Sequence, residues 1–211
     1  MIISSLNLKG GSGKTTLATN LAVGFAKKGH KVLLIDTDKQ GSALRWIGER
    51  PEDCCKLNII SLPDAAALKK QVNDFMEVYD LIMIDGAPQT DLLATVAIGV
   101  SDIILLPVTP SPYDVWATEV MVERIKQAQA IRQEIKAYFI INRYSDRTLL
   151  AQEVKEALEN LDMPVLESKL GNRVAYADSA LQGLSVLEWN NEKAKNEIDF
   201  LVNEIIKLGD I

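Results

Sequence analysis

Residues 8–16 of the chain read Leu8-Lys9-Gly10-Gly11-Ser12-Gly13-Lys14-Thr15-Thr16 and lie between an apolar opening and an apolar, helix-like stretch. Successive glycines let backbone N–H groups turn toward one point, and the following helix N-terminus adds a partial positive charge there. Lys14 and Thr15 are placed for the terminal phosphates of a nucleotide and for a magnesium ion. The stretch therefore predicts a strand, a phosphate-binding loop and a helix that together bind a nucleoside triphosphate.

Short apolar runs alternate with amphipathic stretches along the rest of the chain. The apolar runs are residues 2–3, 32–35, 81–84, 103–106 and 138–141, and the helix-like stretches are 14–28, 64–77, 113–133 and 147–161. Runs that are apolar on both faces indicate strands covered on both sides. Repeated strand-helix-strand units predict an α/β fold with a doubly wound, mostly parallel sheet and helices on both faces.

Composition is consistent with one domain over residues 1–211. Of the 211 residues, 47% are hydrophobic and 25% are charged, enough to bury one large core. The formal charge of -6 argues against a wholly basic nucleic-acid binder, so any DNA contact must be local. The adjacent cysteines, Cys54 and Cys55, form neither a disulfide framework nor a tetrahedral metal site. Without an evident signal peptide or transmembrane run, the chain is expected to be cytoplasmic.

Two acidic segments follow strand-like runs, where phosphate chemistry uses carboxylates. Asp85 comes after the run 81–84 and before Gly86-Ala87-Pro88, the form of a Walker B strand whose carboxylate orients magnesium. The second segment, residues 36–41, reads Asp-Thr-Asp-Lys-Gln-Gly. Because ligands bind at the carboxyl ends of parallel strands, both segments are expected beside the phosphate loop.

The phosphate loop departs from the usual pattern, because Leu8 stands where the first glycine belongs and Lys9 adds a second lysine. This variant resembles the deviant Walker A motif of the ParA and MinD superfamily. The resemblance implies that Lys9, Lys14 and Asp38 are catalytic: Lys9 reaches across a dimer to the partner's nucleotide, and Asp38 positions or activates the attacking water. It further implies that Asp36 supports the metal with Thr15 and Asp85. Lys39 replaces the proline that is usual in the family.

The resemblance extends to the base-binding region. The family places adenine between a proline-containing loop and an asparagine at a late strand end, which here predicts Pro107, Thr109, Pro110 and Asn142. An asparagine side chain offers both a donor and an acceptor to a base edge. The ligands expected are ATP and Mg²⁺.

The function that this resemblance implies is that of the small ParA proteins of plasmid partition. ATP would drive formation of a sandwich homodimer, and the dimer would bind duplex DNA of the nucleoid without sequence preference. A ParB-like or centromere-binding partner protein would then stimulate hydrolysis and release the dimer. Candidate DNA contacts in the later part of the chain are basic: Arg143, Arg147, Lys155, Lys169 and Arg173.

The apolar spacing and the charges of the C-terminal segment indicate whether it forms a core helix or a membrane helix. Apolar residues recur there at helical spacing: Ala194, Ile198, Leu201, Ile205 and Leu208. A membrane-surface helix would carry mainly Lys and Arg on its polar face, whereas acidic residues outnumber lysines in this segment. The helix is therefore predicted to pack on the sheet, and no membrane partner is expected.

Two alternatives to plasmid or chromosome segregation remain open. A relative of ParA can position a protein assembly, such as a carboxysome or a chemoreceptor cluster, with the same ATPase switch. A metabolic ATP-dependent ligase of the dethiobiotin synthetase type shares the fold and the phosphate loop, but has no evident need of an intermolecular Lys9.

Overall fold

The computed structural model describes residues 1–88, 91–145 and 150–209. Seven strands form one sheet in these residues: β1 (Ile2–Ser5), β2 (Val32–Asp36), β3 (Asn58–Ser61), β4 (Leu81–Asp85), β5 (Ile103–Val108), β6 (Lys136–Tyr144) and β7 (Val165–Gly171). Their order is β3-β2-β4-β1-β5-β6-β7, and each neighbouring pair is parallel. The predicted α/β class with a parallel sheet is confirmed.

Helices cover both faces of the sheet. They are α1 (Lys14–Lys27), α2 (Ser42–Gly48), α3 (Ala65–Met76), α4 (Asp91–Val100), α5 (Pro112–Gln129), α6 (Leu150–Glu159), α7 (Val174–Leu181) and α8 (Glu192–Gly209), with a 3₁₀ turn at Val186–Glu188. One core cluster joins the sheet to α1, α7 and α8, and the other joins it to α3–α6. Strands β1, β2, β4 and β5 are buried along their whole length because helices lie on both sides.

The sequence analysis did not predict the two edge strands, β3 and β7, or the three helices α2, α4 and α7. β3 has only two apolar residues and is partly exposed, and β7 alternates in burial as an edge strand does. The helices α2 and α7 are only two turns long, whereas the ten-residue α4 is almost wholly apolar and lacks an amphipathic stripe. The stretch predicted at 113–133 ends as a helix at Gln129. Residues 147–149, predicted to start a helix, lie outside the described residues.

The C-terminal helix α8 packs on the core, as predicted. Ala194, Ile198, Leu201 and Ile205 are fully buried, and Leu208 packs against the same cluster while partly exposed. Where α8 crosses α1, a Cβ atom on Gly24 would lie 2.5 Å from a methyl group of Val202. None of the helices in the described part of the chain is both long and apolar enough to span a membrane.

Strand register brings the acidic segments together. Asp36 at the end of β2 is opposite Asp85 at the end of β4, and Asp85 is opposite Ser5 at the end of β1. Because the strands are parallel, the loops that follow them leave from the same edge of the sheet. The phosphate loop after β1 therefore lies beside both acidic segments.

Candidate functional site

The phosphate loop needs glycine at two positions. Gly11 and Gly13 have positive φ angles of 74° and 101°, a region that residues with a side chain rarely adopt. A Cβ atom on Gly13 would also lie 2.0 Å from Asn142 Nδ2. Asn7 anchors the start of the loop, because its Oδ1 accepts a hydrogen bond from the Lys9 N–H at 2.9 Å and its Nδ2 donates to the Pro107 carbonyl at 3.0 Å.

A cavity of about 300 Å³ lies over the loop. Its lining brings together residues of the phosphate loop, of both acidic segments, of the start of α2 and of β6: Gly10, Gly11, Gly13, Lys14, Thr15, Thr16, Asp38, Ser42, Gly86, Pro88 and Arg143. Backbone N–H groups at the start of α1 and the Lys14 side chain make this cavity suitable for phosphate groups. We call it the phosphate cavity.

The two lysines of the loop have internal partners in this structure. Lys14 is largely buried, and its Nζ donates a hydrogen bond to the Lys9 carbonyl at 2.9 Å. Burial lowers the pKa of the Lys14 ammonium, while the charges of Asp85 and Asp38 oppose that shift. The Lys9 ammonium forms an ion pair with Asp114 in the first turn of α5. Asp114 is a site residue that the sequence motifs did not identify.

Asp85 is buried and has no hydrogen-bond partner for either carboxylate oxygen among the described residues. Burial raises the pKa of the Asp85 carboxyl to about 7. The nearby Thr15 hydroxyl and the Lys14 ammonium oppose this increase, and the neighbouring charge of Asp36 adds to it. A buried carboxylate without a partner is costly unless a cation or a proton compensates it. Together with the Thr15 hydroxyl, Asp85 provides the hard oxygen ligands that Mg²⁺ prefers, so these residues fit the predicted metal.

Asp36 has a visible structural role. One carboxylate oxygen accepts the Asp38 N–H at 2.9 Å, and the other accepts the N–H groups of Ala43 and Leu44 at 2.9 and 3.2 Å. Burial raises the pKa of the Asp36 carboxyl, and these backbone hydrogen bonds oppose the increase. Asp36 therefore stabilises the start of α2, while its predicted contact with the metal stays a prediction.

Asp38 lies in the loop between β2 and α2 and lines the phosphate cavity. It is half-buried, and its Oδ1 accepts the Gln40 N–H at 2.9 Å. Thr37, between the two aspartates, donates a hydrogen bond from its hydroxyl to the Asp85 carbonyl at 2.7 Å and accepts one from the Ala87 N–H at 3.0 Å. Thr37 thus joins the two acidic segments, and it can do so because β2 and β4 are neighbours in the sheet.

A second cavity, of about 440 Å³, adjoins Asn142. Asn142 is buried, and its Nδ2 donates a hydrogen bond to the Ser12 carbonyl at 2.8 Å. The lining continues along the end of β7 and the start of α7: Gly171, Asn172, Arg173, Val174, Tyr176, Ala177 and Ala180. This cavity shares Gly13, Thr16 and Arg143 with the phosphate cavity. We call it the base cavity, after the predicted role of Asn142 in base recognition.

The proline-containing loop begins at the end of β5. Pro107 is buried within β5, and its carbonyl holds Asn7. The linings given above for the phosphate and base cavities do not include Pro107, Thr109 or Pro110. In their place the structure brings Gly171 and Tyr176 beside Asn142. The role of the three loop residues in base binding stays a prediction.

Arg143, Lys169 and Arg173 lie at the carboxyl ends of β6 and β7, whereas Lys155 is on α6. Several of these predicted DNA-contacting residues already have partners for their charges. Arg173 donates hydrogen bonds from Nε and Nη2 to Glu197 at 2.8 and 2.6 Å. The Lys169 ammonium lies 4.6 Å from the centroid of the Tyr144 ring, and Lys155 forms an ion pair with Glu159. Arg143 faces the two cavities, and Arg147 lies outside the described residues.

Comparison with known proteins connects this geometry to a family. The model of the CobQ/CobB/MinD/ParA nucleotide binding domain matches residues 3–186. Maintenance of carboxysome distribution protein A of Halothiobacillus neapolitanus is 30% identical over 95% of this chain and 94% of its own. The protein of that name from Gloeobacter kilaueensis is 32% identical over 94% and 90%. The septum site-determining protein MinD of Pyrococcus horikoshii, complexed with Mg-ADP, has the same fold, with a TM-score of 0.75 at 22% identity over 99% of this chain and 96% of that chain.

Proposed function

The chain belongs to the CobQ/CobB/MinD/ParA nucleotide-binding family, and from that premise we propose that it is an ATPase that positions a protein assembly along DNA. The observation that carries the proposal is the similarity, over nearly all of both chains, to two proteins named for the maintenance of carboxysome distribution. This similarity favours the protein-assembly alternative over the plasmid or chromosomal cargo that the sequence motifs first suggested.

ATP hydrolysis at this site requires positioning and charge stabilisation and no nucleophilic side chain. The loop N–H groups and Lys14 hold the phosphates, and Asp38 at the rim of the phosphate cavity orients the attacking water. Thr15 and Asp85 would hold a magnesium ion, which would supply positive charge to the terminal phosphates. Because Asp38 is half-buried and already accepts the Gln40 N–H, we expect turnover without a partner protein to be slow.

The proposed switch is a homodimer that forms in the ATP state. Lys9 leaves Asp114 and contacts the nucleotide of the partner subunit, which makes dimer formation depend on ATP. The dimer binds nucleoid DNA through the basic residues at and just after the end of β7, Lys169 and Arg173. A partner protein attached to the cargo stimulates hydrolysis and returns the chain to the monomer. Such a cycle converts local hydrolysis into movement of the cargo.

One titration tests the nucleotide, the dimer and the DNA surface together. The purified protein is added to random-sequence duplex DNA at moderate salt with Mg²⁺ and either ATP or ADP. We expect tight binding with ATP and weak binding with ADP. Lys14→Ala should bind weakly in both states, whereas Lys70→Ala, at an exposed position on α3, should match the wild type. ATP-independent DNA binding, or none although ATP is bound, would contradict the proposal.

The cargo and the role of Asp38 need separate measurements. Asp38→Ala should retain ATP and remain on DNA, because the water is no longer oriented for attack. Turnover at the parent rate would show that Asp38 has another role. Stimulation of hydrolysis by an assembly-associated protein supports protein cargo, whereas stimulation by a centromere-binding protein supports partition. Product formation from ATP and a small molecule, without any partner protein, would support the ligase alternative.

A further inference from the structure

Arg143 adopts an unusual backbone conformation at the end of β6. Its φ angle is 55°, and Arg143 and Asp162 are the two non-glycine residues with positive φ in the described part of the chain. For an arginine this left-handed conformation costs free energy, and such strain concentrates at functional sites. Asn142 holds it in place, since its Oδ1 accepts the Arg143 N–H at 2.9 Å while its Nδ2 binds the Ser12 carbonyl. The strained residue is thereby fastened to the phosphate loop.

The position of Arg143 is the junction of two cavities. It lines both the phosphate cavity and the base cavity, together with Gly13 and Thr16. A nucleotide that extends from one cavity into the other must pass this junction. The phosphates nearest the nucleoside therefore lie closest to Arg143, and the terminal phosphate lies farther along the loop.

The two lysines of the phosphate loop already have partners, whereas the guanidinium of Arg143 has none among the described residues. Asp38 lines the cavity and Asp85 directly precedes the lining residue Gly86, while the Lys14 ammonium binds the Lys9 carbonyl and the Lys9 ammonium binds Asp114. The Arg143 side chain is exposed, and no hydrogen bond or ion pair engages its guanidinium within the residues that the structure describes. A guanidinium in this position suits bidentate contact with phosphate oxygens.

We propose that Arg143 binds the α- and β-phosphates of the nucleotide, and so holds ADP and ATP alike, instead of contacting the DNA backbone. The proposal rests on the nucleotide site of the proposed function and adds a specific ligand to it. Because the contact is made to phosphates that both nucleotides carry, it contributes affinity and does not distinguish the two states.

The test replaces Arg143 with asparagine, which tolerates the left-handed conformation and removes the guanidinium. We expect Arg143→Asn to melt at the wild-type temperature or higher and to bind fluorescent analogues of ADP and ATP each about tenfold more weakly. Arg143→Lys should recover part of the loss, because it keeps the charge without the planar fork. Arg45→Gln is the matched control, since Arg45 is exposed on α2 and is not among the residues that line the phosphate cavity.

Three results would overturn the assignment. Wild-type affinity of Arg143→Asn for both nucleotides would exclude a phosphate contact. A loss confined to ATP would place the arginine at the terminal phosphate. Weaker DNA binding at saturating ATP, with nucleotide affinity unchanged, would make it a DNA contact. If the wild type itself binds neither nucleotide, the proposed function fails along with the assignment, whereas the three results above leave that function standing.

Discussion

Individual carboxylates near the phosphate loop have the same chemistry but different surroundings. Asp36 has three backbone N–H donors, Asp38 has one, and the buried Asp85 has none among the described residues. Asp36 therefore stabilises a helix start, Asp38 can orient water, and Asp85 needs a cation. Residue type alone could not distinguish them, because each simply follows or lies near a strand end in the sequence.

Asp85 makes the nucleotide-free protein sensitive to pH. Its folded-state pKa of about 7 lies above the ordinary value of 3.8, so the folded state holds the proton more tightly than the unfolded state does. The free energy of unfolding therefore falls as pH rises from about 4 to about 7 and stays low above that. Asp85→Asn should stabilise the Mg²⁺-free protein by about 2–4 kcal/mol at pH about 8 and by much less at pH about 5.

Thermal melts at several pH values, without nucleotide or metal, measure this effect. The matched control is Asp74→Asn, an exposed position on α3, for which we expect a change within about 0.5 kcal/mol at each pH. If the melting temperatures of Asp85→Asn and the wild type differ by the same amount at pH 5 and pH 8, the burial of an ionised Asp85 is not the cause.

The Lys9–Asp114 ion pair should oppose dimer formation if Lys9 has to leave Asp114 to contact the nucleotide of the partner subunit. The Asp114 side chain is 11% exposed and that of Lys9 is 43% exposed, so breaking the pair costs about 1 kcal/mol per subunit. Because a dimer breaks two such pairs, Asp114→Asn should dimerise with ATP at roughly 30-fold lower protein concentration, as measured by sedimentation. Lys9→Ala should stay monomeric, and the double variant should behave like Lys9→Ala. Weaker dimerisation of Asp114→Asn would instead give Asp114 a role inside the dimer interface.

Among the helices, α2 connects the acidic loop to a distant part of the fold. Asp36 stabilises its first turn, and just beyond its last turn Arg50 donates hydrogen bonds to Glu188 at 2.6 and 2.9 Å. Burial works to raise the pKa of Glu188, but the hydrogen bonds from Arg50 hold it below its usual range. Such a short helix is stabilised by these tertiary contacts more than by its own propensity, which is why the periodicity of the sequence did not predict it.

The helix α8 offers a test of core packing. Leu201 is fully buried against α1 and the sheet, whereas the neighbouring Phe200 is 52% exposed. Leu201→Ala should lower the free energy of unfolding by about 2–5 kcal/mol, as measured by urea titration. Phe200→Ala, the matched control on the opposite face, should cost under about 1 kcal/mol. Equal and small effects would mean that α8 contributes little to the core.

For the whole molecule, net charge limits how DNA can be held. The chain carries a formal charge of -6, and Arg173, Lys169 and Lys155 have acidic or aromatic neighbours in this structure. A few local phosphate contacts must then supply the affinity, because the overall field repels DNA. Dimer formation would double the number of contacts and make binding depend on ATP.

Salt dependence of DNA binding measures the number of phosphate contacts. With three contacts per bound unit, affinity in the ATP state should fall about 40-fold between roughly 50 and 200 mM salt. Lys169→Ala should reduce the slope of log affinity against log salt by roughly one contact per subunit, with Lys70→Ala as the control. A slope near zero would mean that the dimer does not bind the DNA backbone.

The order of residues was enough to predict the phosphate loop, the central strands, the main helices and the acidic segments, because their patterns depend on neighbouring residues. Spacing of glycines, runs of apolar residues and aspartates at strand ends follow from local backbone geometry and from burial on both faces of a sheet. The apolar stripe of α8 was equally visible, since a helical period needs only the order of residues. These features were enough to predict the fold class and the family resemblance.

The distant residues that complete the site could be identified only from the folded chain. Asp114 meets Lys9, Gly171 and Tyr176 lie beside Asn142, and Arg143 occupies the junction of the two cavities because the order of the strands places their ends side by side. The pKa of Asp85 depends on the helices that bury it, and the roles of Asp36 and Asp38 depend on which backbone N–H groups face them. Long-range contacts of this kind are set by packing, which no local pattern of residues records.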